Sequence, residues 1–179
     1  WIAETIGGRG DGEEVTAALG LLDPGQVIGV GGRGWAGVQL AGLAGLDTGL
    51  RRGGRSLGNP PGSFDRGRLS AMWKQIVKWS FEESDPDRRF GSPGLASGLL
   101  RSAAGSVAVP ALLGSLDRGN LSALRTLSHF GDERIGTAVL AAYPDLTAAG
   151  RRAALDVLIA DPARAMQLME AMGRGTVSR

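Results

Sequence analysis

The stretch SVAVPALLGSLDRGNLSALRTLSHFGDERIGTAVLAAYPDLTAAGRRAALDVLIADPARAMQLMEAM, residues 106–172, decides the fold class. Three segments in it carry the same apolar ladder. They are Val109, Leu112, Leu113 and Leu116; Gly136, Val139, Leu140 and Tyr143; and Ala165, Leu168, Met169 and Met172. Each ladder runs i, i+3, i+4, i+7, which puts its members on one stripe of an α-helix. The ladders start 27 and then 29 residues apart. Between them lie shorter apolar groups around Leu121–Leu127 and Ala154–Ile159, and another around Leu99–Leu100 precedes the first. A helix pair of this size cannot bury its apolar face alone and must stack on a neighbour. The expectation is an all-α chain in which such pairs form an α-solenoid.

Outward from this stretch, turn and cap residues mark the remaining helices. The regular array is expected over 92–179, with helices near 94–104, 107–117, 120–130, 132–143, 147–160 and 162–172. Ser106, Asn120, Asp132, Thr147 and Asp161 are read as their N-caps. Asp161-Pro162 pairs a cap with proline at the first helical position, where its missing N–H costs nothing. Residues 1–91 read as an irregular helical half. There Trp1–Ile6 ends at Gly7-Gly8, Asp11 opens Glu13–Leu22, and Asp23-Pro24-Gly25 stops it. Trp35–Leu50 follows, with Val38, Leu40, Leu43, Leu46 and Leu50 expected in the core. Asp65–Phe81 is the longest clear helix, with Leu69, Met72, Trp73, Ile76 and Ser80 inward and Lys74 and Lys78 on a polar side. β-branched residues are sparse and no long stretch alternates with period two, which argues against strands.

Composition excludes several chemistries. With no Cys there is no disulfide, thiolate nucleophile or thiolate metal site, and with His129 as the single histidine there is no imidazole cluster. The formal charge is only +2; the pI of about 9.7 is high because net charge stays near zero across neutral pH and all the bases but Lys74 and Lys78 are arginines. So small an excess is a weak argument for nucleic acid. Glycine fills 30 of 179 positions. Each helical glycine costs about 0.5–1 kcal/mol against alanine, so marginal stability is expected. No apolar run reaches the roughly 18–20 residues that span a bilayer, so no membrane insertion is expected. The chain begins with Trp1 in what reads as the tail of a helix, and the expectation is a piece of a longer protein.

Few motifs point to chemistry. Gly29-Val30-Gly31-Gly32-Arg33-Gly34 fits GxGxxG, whose glycines let a backbone approach a pyrophosphate at a helix N-terminus. The following βαβ context is missing, and Asp47 falls on a helix rather than at a strand end. A nucleotide-binding enzyme domain on this loop is therefore the alternative reading. Arg51, Arg52, Arg55, Arg66 and Arg68 cluster around a loop and form a possible interaction surface for phosphate, nucleic acid or an acidic partner. Trp79, on a different helix face from Trp73, either packs against the loop or faces a partner as part of that surface. Arg9-Gly10-Asp11 spells an adhesion tripeptide, but Gly10 also shapes a turn and Asp11 a cap. Glu82, Glu83, Asp85 and Asp87 lack EF-hand spacing. His129 stands near a helix end with no nucleophile motif beside it. No catalytic, cofactor-binding or metal-ligating residue is assigned.

Three stretches carry a resemblance: WIAETIGGRGDGEEV at 1–15, GLAGLDTGLRRGGRSL at 42–57, and LSALRTLSHFGDERIGTAVLAAYPDLTAAGRRAALDVLIADPARAMQLMEAMGRGTV at 121–177. Together they resemble the HEAT-like helical region of large exported bacterial proteins of planctomycete type. Such proteins join a sugar-dehydrogenase-like β-propeller to HEAT-like repeats and a c-type cytochrome domain. The resemblance implies an ARM-type superhelix of antiparallel HEAT-like pairs. It implies a non-catalytic spacer and docking scaffold, whose partners are neighbouring domains or another protein. It implies an exported or periplasmic parent whose haem c lies elsewhere, since no C-x-x-C-H occurs in this segment.

Overall fold

Ten α-helices make up the computed structural model, which describes residues 2–23, 33–82, 94–116, 120–175 and 177. Among these residues there is no strand, only an isolated antiparallel bridge between Ser56 and Asn59. The protein is all-α. Its contacts divide it into two units, Trp1–Ala104 and Gly105–Arg179. The composition places a boundary at 91/92, which puts the helix near 94–104 in the regular array. That helix instead packs on the helices before it, so the first unit extends through Ala104.

The first unit is built around α3. Helices α1 (Ile2–Arg9) and α2 (Gly12–Leu22) both pack on α3 (Arg33–Arg52), while α4 (Arg66–Glu82) packs on α5 (Leu95–Leu99), which also meets α3. A 3-10 turn, Leu100–Ser102, closes the unit. Val15, Leu19, Leu40, Leu43, Leu46, Leu50, Met72, Trp73, Ile76 and Leu100 form its core, as the ladders predict for most of them. Two core expectations are corrected: Val38 is 54% exposed and Leu69 only half-buried. Val38 lies on the flank of the α3 stripe, and its β-branched methyls stay in solvent.

Glycine has a use here that composition alone does not reveal. Helix α1 lies against α3 at backbone contact. A Cβ on Gly49 would overlap the Glu4 carbonyl oxygen and stand 2.6 Å from the Gly8 nitrogen. A Cβ on Gly7 would overlap the Leu46 oxygen and stand 2.9 Å from the Leu50 nitrogen. The entropic cost of these glycines is offset by close helix packing that no other residue permits.

In the second unit α6 (Gly105–Leu113) packs on α7 (Leu121–Leu127) and α8 (Arg134–Ala142), and α7 packs on α9 (Ala148–Ile159). Helix α10 (Pro162–Gly173) packs on both α8 and α9. Three of the expected caps are seen. Asn120 accepts from the Ser122 and Ala123 N–H groups at 3.0 and 3.1 Å, and Thr147 from Gly150 at 3.1 Å. Asp161 accepts from Ala163 at 3.0 Å and Arg164 at 3.2 Å. Asp132 accepts from the Arg134 N–H at 3.0 Å but stands one residue before the N-cap of α8, which is Glu133. Ser106 is no cap, because α6 already begins at Gly105.

The first two ladders turn mostly inward: Val109, Leu112, Leu116, Gly136, Val139 and Tyr143 are buried, while Leu113 and Leu140 are half-buried. The third is corrected. Helix α10 is rotated so that Arg164, Leu168 and Ala171 face the core, while Met169 and Met172 are 59% and 40% exposed. Ile159, expected against that helix, is 64% exposed. The reason lies at Arg164. Its stem packs on Gly136, which leaves room for it, and its guanidinium points at the Leu127 carbonyl at the end of α7. A cation there suits the negative end of a helix, and its burial turns the methionines outward.

Candidate interaction surface

The arginine cluster begins at the end of α3. Arg51 Nε donates to the Asp47 carboxylate at 2.8 Å, one helical turn earlier, and Arg51 Nη2 reaches the Ser102 hydroxyl at 2.6 Å. That hydroxyl donates to Asp47 Oδ1 at 2.6 Å, and the Leu57 N–H donates to the same oxygen at 3.1 Å. Asp47, 2% exposed, thus ties together α3, the loop after it and the 3-10 turn. Arg52 pairs with Glu4 at 2.5 Å and so fastens α3 to α1. Arg55 donates to the Gly10 carbonyl at 2.5 Å. Arg68 grips Asp23 with Nε and Nη2 at 2.9 and 2.7 Å, while its guanidinium lies 5.3 Å from the centre of the Phe64 ring.

Four of the five clustered arginines therefore spend their donors on the chain itself. Arg66 alone is exposed without a partner among the described residues. Trp79 does not join a surface, since it is 6% exposed in the core of the first unit. Of the six residues read as an interaction surface, four arginines are thus engaged within the chain and Trp79 is buried. Asp23 and Asp47, which organise the cluster, were not singled out from sequence as its partners. The Asp47–Arg51 spacing of one helical turn was the available signal. Nothing local pairs Arg68 with Asp23 across 45 residues.

Other motifs resolve into structural roles. Gly10 sits at φ 65° between α1 and α2, and Asp11 caps α2 by accepting from Glu13 and Glu14 at 2.9 and 3.0 Å. Arg9 pairs with Glu14 at 3.0 Å, so the tripeptide's Asp and Arg are both engaged. Gly29–Gly32 of the GxGxxG match lie outside the described residues, and Arg33-Gly34 open α3. Of the acidic run, only Glu82 is described. His129 is exposed, and its backbone N–H donates to the Thr126 carbonyl at 3.2 Å. Asp132 and Arg134 form a bidentate pair at 2.9 and 2.6 Å, which holds the Asp132 carboxyl down from 3.8 to about 2.

Surface depressions lie within the units, among the described residues. One of about 530 Å³ lies beside Asp11, Glu13, Thr16 and Ser63. Another of about 220 Å³ lies between α3 and α5 beside Asp47 and Arg101. The third, about 540 Å³, lies over α8 beside Leu113, Thr137 and Gln167. No three His, Cys, Asp or Glu side chains gather to hold a metal among the described residues. No described helix is long and apolar enough to cross a membrane. Comparisons with known proteins add nothing to this geometry: no family model, curated protein or solved structure matches the chain.

Proposed function

We propose that this chain is a non-catalytic scaffold of HEAT-like helix pairs, a spacer that docks neighbouring domains or another protein. The observation that carries the reading is the packing order of the second unit. Each helix there rests on the one two places further along: α6 on α8, α7 on α9, α8 on α10. That is how equivalent helices of successive pairs meet in a stack, and it supports the 27- and 29-residue repeat of the ladders. The use of arginine fits the same role. Guanidinium groups already held by Asp47, Glu4, Gly10 and Asp23 are poorly placed to receive phosphate, which weighs against the nucleic-acid alternative.

The reading also draws on the apolar side chains that each unit leaves in solvent, Ile2 and Leu21 in the first and Ile159 in the second. The test uses the full chain as bait in an extract of its source, beside Leu21→Glu and Ile159→Glu variants. A protein captured by the wild type and released by either variant is the expected result. Calorimetric titration with dinucleotides, with ATP and with short DNA at low salt supplies the opposing arm. Micromolar affinity for any of these would overturn the scaffold reading, and for DNA it must fall steeply with added salt.

A further inference from the structure

Three of the chain's four methionines fall within seven residues, at Met166, Met169 and Met172. They stand at i, i+3 and i+6 of α10 and are 57%, 59% and 40% exposed, whereas Met72 is 1% exposed. Packing does not need them, because Leu168, Ala171 and Arg164 fill the inward face of the same helix. We propose that this row of thioethers is a surface site for a soft monovalent cation, Cu(I) or its redox-inert analogue Ag(I).

The argument is one of ligand softness and reach. Thioether sulfur selects Cu(I) over the hard and borderline ions that carboxylates and imidazoles prefer. Residues three apart on a helix have Cβ atoms roughly 5–6 Å apart, and the flexible methionine stem lets two sulfurs close on one ion. Positions six apart lie too far for their sulfurs to share an ion. The row is therefore two overlapping pairs, Met166–Met169 and Met169–Met172, with Met169 common to both. The chain has no thiol to compete for the ion, and its one imidazole, His129, lies on a different element.

The test follows the methionine methyl resonances of the full chain, labelled at the methyl carbon, during Ag(I) titration. Met166, Met169 and Met172 should shift and Met72 should not. Met169→Leu removes both pairs and should weaken binding at least about tenfold, while Met166→Leu or Met172→Leu leaves one pair and should cost only about twofold. Leucine nearly conserves volume, so helical circular dichroism should match the wild type and separate lost binding from lost folding. The proposal is overturned if the three methyls stay fixed through excess Ag(I), or if all three single variants bind alike. Binding that survives Met169→Leu and disappears in His129→Gln would also overturn it, by moving the site to the imidazole.

Discussion

A carboxylate as deeply buried as that of Asp47 must be met by donors, because an uncompensated charge in a low dielectric is costly. Here Arg51, Ser102 and the Leu57 N–H meet it, and each comes from a different part of the first unit. Asp47→Ala should leave the Leu57 N–H and the Ser102 hydroxyl without their acceptor. It should lower stability by about 1–3 kcal/mol, measurable by urea unfolding. An unchanged midpoint would mean that the node is not what joins those segments. Asp132 is the opposite case, a pair at the surface. Its carboxyl is held near 2, below the ordinary 3.8, by hydrogen bonds from Arg134. A depressed folded value means that its contribution is complete above 3.8 and fades as pH falls toward 2. The carboxyl carbon of Asp132, followed by NMR, should titrate near 2, and Arg134→Gln should return it toward 3.8. A midpoint that ignores the variant would dismiss the pair. At this scale the sequence was legible where a residue acts on its near neighbours. Asp11, Asn120, Thr147 and Asp161 cap as read, whereas Asp23 and Arg68 find one another only through the fold.

Helices were the legible element, because periodicity and caps are local. What periodicity could not supply is the rotation of a helix whose two candidate faces are both apolar. In α10 the stripe Ala165–Leu168–Met169–Met172 and the stripe Arg164–Leu168–Ala171 differ by a fraction of a turn. A buried arginine decides between them, against the usual expectation that charge stays outside. Glycine content misleads in the same way. It was read as weakness, yet the α1–α3 crossing depends on it. Two substitutions separate the roles. In Gly49→Ala the new methyl meets the Glu4 and Gly8 backbones, and overpacking of this kind costs about 1–3 kcal/mol. In Gly20→Ala, within α2, the methyl meets nothing within 4 Å, and the gain in helix propensity is about 0.5–1 kcal/mol. Thermal melts should therefore move in opposite directions. A parallel shift would refute the close crossing.

For the whole molecule, the question is how far a local loss travels. In one shared core a cavity anywhere weakens everything, but in stacked pairs each helix answers mainly to its nearest neighbours. Leu158 offers a clean probe, since it is fully buried in α9 between the helices of the second unit. Leu158→Ala removes buried methyl groups and leaves a cavity, at a cost of about 2–5 kcal/mol. The backbone of α9 keeps its own cap at Thr147, so the helix itself should persist. The loss should appear as faster amide exchange over about residues 130–172, with α1, α2 and α3 retaining wild-type protection. Exchange that quickens equally in Gly12–Leu22 would mean a single cooperative core, and the division at Ala104 would then not be one of stability.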